Sequence, residues 1–252
     1  MSKPNKISSS AQERLEAFKA KQELEASKSK RRSSDNKIAL MLSAGAVVLA
    51  ILGQFLYFSV GPGATSQTPE AEQVENSELV PSPDIAESRV WSGSMKVGEA
   101  ELGIELDGAN APQAVANFVS LSQSGFYENI SCHRLVTQGI YVLQCGDPDG
   151  TGAGGPGYTF GPIENAPADD NYVAGTLAMA RVGGDGNSMG SQFFIVYQDS
   201  RIPSDSAGGY TVFGKITSGL DALQPVIEAG VEGGATDGKP VIETLLGAIE
   251  LR

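Results

Sequence analysis

Apolar residues are distributed along this chain in three ways, and each predicts a different kind of element. In Ala11–Ser27 they are sparse: Leu15, Phe18 and Leu24 stand among helix-forming charged residues, which predicts a solvated helix without a core of its own. From Ile38 to Val60 they form one run that no charge interrupts. At ~1.5 Å per residue such a helix spans a ~30 Å hydrocarbon layer with some tilt. From Val90 onward they come in short runs, alternating with polar residues or bounded by turn residues, as strands do.

The flanks of the long run give it a direction. Lys28, Lys30, Arg31, Arg32 and Lys37 crowd its N-terminal edge, and Tyr57 and Phe58 lie near its other end, where aromatic rings settle at a membrane interface. The cleaved leader of an exported protein has a shorter apolar core that starts closer to the N-terminus. The run is therefore expected to be an uncleaved single-pass anchor in the cell membrane, with residues 1–37 cytoplasmic and the remainder outside. It lacks ionisable residues, so it reads as a tether and not as a transport path. Residues 61–88 change to Pro, Ser, Gly and Glu with little periodicity, which predicts a disordered spacer.

Residues 89–252 then form one domain. Val90–Met95 and Glu99–Leu106 predict an opening hairpin. Ala111–Ser124 predicts a helix, with Pro112 in its first turn and Val115, Phe118, Val119 and Ser122 on one face. A second hairpin is expected in Ser131–Asp147, and further strands in Tyr172–Arg181, Ser191–Tyr197 and Gly209–Ile216. Ser218–Ala229 predicts a second helix that Pro225 weakens, and Val241–Leu251 closes the chain. Many short strands with two lone helices point to a mainly β fold whose sheet closes on itself and so hides its edges.

Charge and chemistry narrow the function. The formal charge is −12, but residues 1–37 carry ten Lys and Arg against five Asp and Glu, so the rest is strongly acidic. Such a surface repels phosphate, and no nucleic-acid partner is expected. The glycines of Gly150–Gly155 lack the helix and the Lys-Ser/Thr of a phosphate loop, so no nucleotide or other cofactor is expected. His133 is the only His, too few for a Ser-His-Asp set, and one His with two Cys falls short of a metal site. Cys132 and Cys145 would both be exported, which favours a disulfide, yet strand alternation puts them on opposite faces unless a bulge intervenes. That pairing stays open. Arg134, Val142 and Gln144 share a face by the same alternation. The pattern alone leaves Arg134 open between a surface salt bridge and a guanidinium presented to a ligand.

Taken in order, the motifs of 89–252 resemble the cyclophilin family of peptidyl-prolyl cis-trans isomerases. They are Pro112–Phe118, Gly125-Phe-Tyr127, Cys132-His-Arg134, Gln144-Cys-Gly-Asp147, Gly175–Arg181, Gly190–Ile195 and Tyr210–Lys215. The resemblance implies an eight-stranded closed antiparallel barrel capped by two helices, with the site on its outer wall. It implies an isomerase that turns Xaa-Pro bonds without a covalent intermediate. Arg134 would supply the guanidinium. Tyr141, Val142, Phe194 and Ile202 would line the proline slot, and Gln144, Gln192 and the Ala180–Arg181 backbone would hold the peptide. Tyr210 stands where many members have His.

Three departures stand out. The spacing from Arg134 to Gln144 is longer than usual, so Ile140, Tyr141 and Val142 compete for the proline ring. Arg181 replaces a usual Asn ahead of a lengthened 181–190 segment. Residues 199–209 are also longer and lack the common Trp. These bear on peptide preference and on cyclosporin-type inhibitors. With its anchor and acidic exported part, the chain looks like a membrane-tethered bacterial member. Its expected partners are the lipid bilayer and proline-containing segments of exported proteins. The competing expectation is a tethered peptide-binding or chaperone module with little or no turnover.

Overall fold

The computed structural model describes residues 76–252. The Ala11–Ser27 helix, the Ile38–Val60 anchor and most of the spacer lie outside the described residues. Among the described residues no helix is long and apolar enough to cross a membrane.

The domain is a curled antiparallel sheet wrapped around one principal core. Its strands are β1 (Val90–Val97), β2 (Ala100–Asp107), β3 (Arg134–Val136), β4 (Val142–Cys145), β5 (Asn171–Tyr172), β6 (Thr176–Met179), β7 (Phe193–Val196), β8 (Ser200–Arg201), β9 (Val212–Ser218), β10 (Asp237–Gly238) and β11 (Leu246–Leu251). Nine of them form one sheet in the order β10-β3-β4-β7-β6-β9-β2-β1-β11, and β5 pairs with β8 apart from it. The sheet curls far enough that the lead-in to β3 meets the lead-in to β11. Ser131 bridges Leu245, the Cys132 amide donates to Thr244 O and the Leu246 amide donates to Ile130 O. The fold is mainly β with two helices, as expected, and its curled main sheet has nine strands where eight were expected.

Helix α1 (Pro112–Gln123) starts on Pro112, whose missing N–H costs nothing in the first turn. No neighbouring side chain caps it. Instead the Glu164 carboxylate accepts from the Gln113 and Ala114 amides, both at 3.0 Å, meeting two of the donors a helix start leaves free. Buried residues run round α1 more widely than one amphipathic face, including Gln113 and Asn117. The cause is the segment before β1, which covers the helix on its other side. Asn76 donates to Gln113 Oε1 and Gly161 O, Gln113 donates to Pro81 O, and Trp91 donates to Ala86 O. Residues 76–88, read as spacer, therefore belong to the folded unit. Under α1, Phe118 meets Tyr127, Phe193 and Phe213 at 5.1–5.3 Å between ring centroids. Each such ring contributes roughly 1.5–3 kcal/mol by leaving water.

The second helix is shorter than Ser218–Ala229. A 3-10 turn occupies Leu220–Leu223, and α2 (Gln224–Ala229) begins only where Pro225 falls in its first turn. The run Tyr172–Arg181 also divides, into β5 and β6 around Gly175, whose φ of 92° a side chain would strain.

Cys132 and Cys145 are joined by a disulfide. The alternation that set them on opposite faces fails for a simple reason: β3 begins at Arg134, so Cys132 lies ahead of the ladder. Its side chain turns into the core, as Cys145 does from β4.

Candidate active site

Strand alternation sorts the central strands into two faces. Leu135, Leu143, Cys145, Leu177, Met179, Phe193 and Ile195 enter the principal core. Their neighbours Val136, Val142, Ala178, Phe194 and Val196 face the other way, where Tyr172 and Ile202 join them in a second apolar cluster. The pairing register aligns these outward residues across the sheet. Arg134 lies opposite Gln144, Gln144 opposite Phe194, Phe194 opposite Ala178 and Ala178 opposite Val212. One cross-strand row thus carries a guanidinium, an amide, an aromatic ring and a small residue side by side.

That row opens into a cavity of about 130 Å³ lined by Arg134, Ile140, Val142, Gln144, Ala180, Arg181, Phe194, Ile202 and Tyr210. Phe194, Val142 and Ile202 are each buried, and Tyr210 packs edge-on against Phe194 at 5.5 Å. Ile140 and Val142 both reach the slot. Tyr141 does not: its ring packs against Tyr197 at 6.0 Å, and its amide donates to Ser200 Oγ. Tyr141 therefore leaves the list of slot residues, and Ile140 enters it. Gly139, immediately before Ile140, takes a φ of 82° in the turn between β3 and β4.

Arg134 forms a salt bridge and also lines the slot. Its Nε and Nη2 donate to the two carboxylate oxygens of Asp237, each at 2.7 Å, and Nη1 donates to Gln144 Oε1 at 3.3 Å. Asp237 is delivered by β10, which pairs Asp237 with Val136 and Gly238 with Leu135. The hydrogen bonds from Arg134 hold the Asp237 carboxyl below the ordinary carboxylate range, and those to Asp237 raise the guanidinium further. The ion pair is about half exposed, at 42% and 47% of each side chain. Nη1, the nitrogen that Asp237 does not engage, is the one on the Gln144 side.

Gln144 is oriented in turn. Its Nε2 donates to Gln192 Oε1 at 2.8 Å, and Gln192 Nε2 donates to Gly154 O at 2.8 Å. Gln192 does not line the small slot but a larger neighbouring depression of about 440 Å³, whose walls are Gly152–Pro156, Tyr158, Ala180–Val182 and Ser188. Gln144, Ala180 and Arg181 line both. The Ala180 amide donates to Gln192 O and so is already used. The Arg181 side chain is fully buried and paired with Asp205.

His133 lies outside both depressions, with neither ring nitrogen hydrogen-bonded. Burial lowers its pKa despite the opposing pull of Asp147. Its neutral form is favoured, and it has no part in the slot. Among the described residues no cluster of His, Cys, Asp and Glu is arranged to hold a metal ion. Asp237 and Asp205 are the charged residues that the sequence reading missed. The Asp-Gly pair at 237–238 was a visible turn signal, but nothing local linked it to Arg134, 103 residues away.

The geometry agrees with comparison to known proteins. The family described as "Cyclophilin type peptidyl-prolyl cis-trans isomerase/CLD" matches residues 94–245. A "Probable peptidyl-prolyl cis-trans isomerase B" of Mycobacterium tuberculosis is 41% identical over 209 residues, covering 73% of this chain and 66% of its own. The chain thus spans just under two thirds of that relative's length. "Peptidyl-prolyl cis-trans isomerase B" of Bacillus subtilis is 43% identical over 122 residues, covering 48% of this chain and 79% of its own. A Cryptosporidium parvum cyclophilin type peptidyl-prolyl cis-trans isomerase, solved in the presence of the dipeptide Ala-Pro, superposes with a TM-score of 0.54 at 32% identity. That match covers 64% of this chain and 98% of the solved one. With the motif order, the fold and the matched span in agreement, the chain belongs to the cyclophilin type peptidyl-prolyl cis-trans isomerase family.

Proposed function

We propose that this protein is a peptidyl-prolyl cis-trans isomerase acting on proline-containing segments of other proteins. The observation that carries the proposal is the pairing of a fixed guanidinium with a small apolar slot on one face of the sheet. Resonance gives the peptide C–N bond a rotation barrier of about 20 kcal/mol, and uncatalysed Xaa-Pro exchange takes tens of seconds. No bond is made or broken, so no nucleophile is required. Twisting the amide ends conjugation and leaves a lone pair on the prolyl nitrogen. A donor aimed at that nitrogen favours the twisted state over either planar one.

In this reading Ile140, Val142, Phe194, Ile202 and Tyr210 take the ring, and Arg134 Nη1 meets the prolyl nitrogen. Gln144 holds the flanking carbonyl, and the residues before proline run along the larger depression past Gln192 and Ala180. Asp237 holds the other two guanidinium nitrogens, so that Nη1 is already oriented when peptide arrives. The same ion pair supports a second reading, a peptide-binding module with little turnover, because a carboxylate that neutralises Arg134 weakens its pull on the prolyl nitrogen. Isomerisation of an Ala-Pro peptide by the full-length protein separates the two. Acceleration above background supports the isomerase, whereas saturable binding without acceleration supports the module.

Placement at a membrane rests on the Ile38–Val60 run and its basic N-terminal edge. In this proposal the lipid bilayer is the anchor's partner, the domain is extracytoplasmic, and its clients are exported proteins. Cleavage of the domain by external protease on wall-stripped cells is the expected result; protection there contradicts the orientation. Cyclosporin-type inhibitors are proposed to compete for the same slot, which a competition assay reads directly.

A further inference from the structure

Arg181 stands two residues beyond β6, at the junction of the two depressions. Its side chain is fully buried, although the carboxylate it faces, Asp205, is about one third exposed. Every guanidinium nitrogen is occupied. Nε donates to Gly209 O at 3.0 Å, Nη1 to Val182 O and Asp205 Oδ2, and Nη2 to Asp205 Oδ1 and Gly208 O. The guanidinium carbon also sits 4.6 Å from the centre of the Tyr210 ring, whose edge meets Phe194 in the slot. Asp205 accepts from the Gly184 amide at 2.8 Å and from the Ala207 amide at 2.9 Å. One ion pair therefore joins the 182–184 turn, the 205–209 turn and a ring lining the slot.

A buried charge is kept in such a place only when its partners satisfy it, and breaking one partner leaves the other exposed to a large desolvation cost. The planar fork matters too. Lysine offers a point charge and cannot reach three carbonyls and a bidentate carboxylate together. We infer that the Arg181–Asp205 pair is a positioning device that holds Tyr210 against the slot and fixes the two turns, and so sets how tightly the peptide around proline is bound. Arg181 acts through Tyr210 and touches no reacting atom with its side chain. The effect belongs to binding, shared by ground and transition states, and not to the twisting step.

This inference rests on the peptide-site reading above. It is tested on full-length protein carrying Arg181→Lys, Asp205→Asn, Tyr210→Ala, or Arg181→Lys with Tyr210→Ala. Two chromogenic peptides serve as probes, with Ala or Leu before proline. The expected result is a KM raised about five- to tenfold by either Arg181→Lys or Asp205→Asn, with kcat changed by less than about twofold. Arg181→Lys should add nothing to KM once Tyr210 is Ala, since contacts acting through a shared group are not additive. Variants with lowered melting temperature but unchanged KM overturn the inference, because the pair would then serve stability alone. Full additivity with Tyr210→Ala also overturns it. Should Arg181→Lys fail to fold by circular dichroism, Asp205→Asn carries the same comparison from the more exposed partner. Should wild type show no turnover, the isomerase reading fails at that point. The same peptides' Kd values, read calorimetrically, then replace KM and test the pair separately.

Discussion

Removing the carboxylate of Asp237 isolates what orientation of Arg134 is worth. The pair makes two charge-assisted hydrogen bonds of 2.7 Å, yet each side chain is nearly half exposed. Exposed ion pairs contribute about 0–1 kcal/mol to stability, so Asp237→Ala should lower the melting temperature by only a few degrees. Activity should respond more. Without Asp237 the guanidinium keeps a single 3.3 Å contact to Gln144 and must be ordered during the reaction. An orientational penalty of about 1.4 kcal/mol corresponds to a tenfold loss in kcat/KM, expected mainly in kcat. The assay is protease-coupled isomerisation of an Ala-Pro peptide by full-length protein, compared between wild type and Asp237→Ala. The effect also depends on pH. The folded pKa of Asp237 is lowered, so its stabilising effect is present above the ordinary carboxylate pKa and is lost as pH falls through the depressed value. The ratio of wild type to variant should then stay constant from about pH 5 to 8. An Asp237→Ala variant as active as wild type, or more active, refutes the orientation argument and shows that the carboxylate only masks the guanidinium.

Three further outcomes are expected. Reducing the Cys132–Cys145 disulfide, or replacing both residues with Ala, removes a cross-link 13 residues apart; the loop-entropy effect of about 3 kcal/mol should lower the melting temperature by roughly 6–12 °C in calorimetry. Tyr141→Ala should leave kcat/KM within about twofold, whereas Ile140→Ala, which removes part of the slot wall, should raise KM about three- to tenfold in the same assay. Burial lowers the His133 pKa, so the unfolded chain takes up a proton first on acidification; its stabilising contribution is present above pH ~6.5 and is lost as pH falls toward the folded pKa. Melting temperature should therefore decline from pH 7 to 5, and His133→Gln should flatten part of that decline.

What could be read from the sequence follows from how local each signal is. Alternation in β3 and β4 needs only neighbouring residues, and it correctly grouped Arg134, Val142 and Gln144 on one face, whereas Phe194 came with the family resemblance. Pro112 marked the start of α1, whereas Pro225, read as weakening the interior of a longer helix, falls in the first turn of α2. The same rule misled at Cys132, because alternation was extended past the end of a three-residue strand. Asp237 was invisible for a different reason. Its strand has two residues and no period, and its value lies in a partner placed by the fold. Arg181 was read through its backbone, whereas its buried fork depends on a turn far along the chain. The motif order identified the family, but the lengthened β3–β4 turn left Ile140, Tyr141 and Val142 undivided in the sequence, and in the structure Ile140 and Val142 line the slot.

The central claim is that Arg134 lowers the barrier to rotation about an Xaa-Pro bond. Its most direct measurement is the isomerisation rate of an Ala-Pro peptide with full-length wild type and with Arg134→Ala, both checked for fold by circular dichroism. The account predicts clear acceleration by wild type and a loss on the order of a hundredfold in the variant, as for removal of one preorganised donor to a developing charge. A folded Arg134→Ala protein that isomerises the peptide as fast as wild type would contradict it.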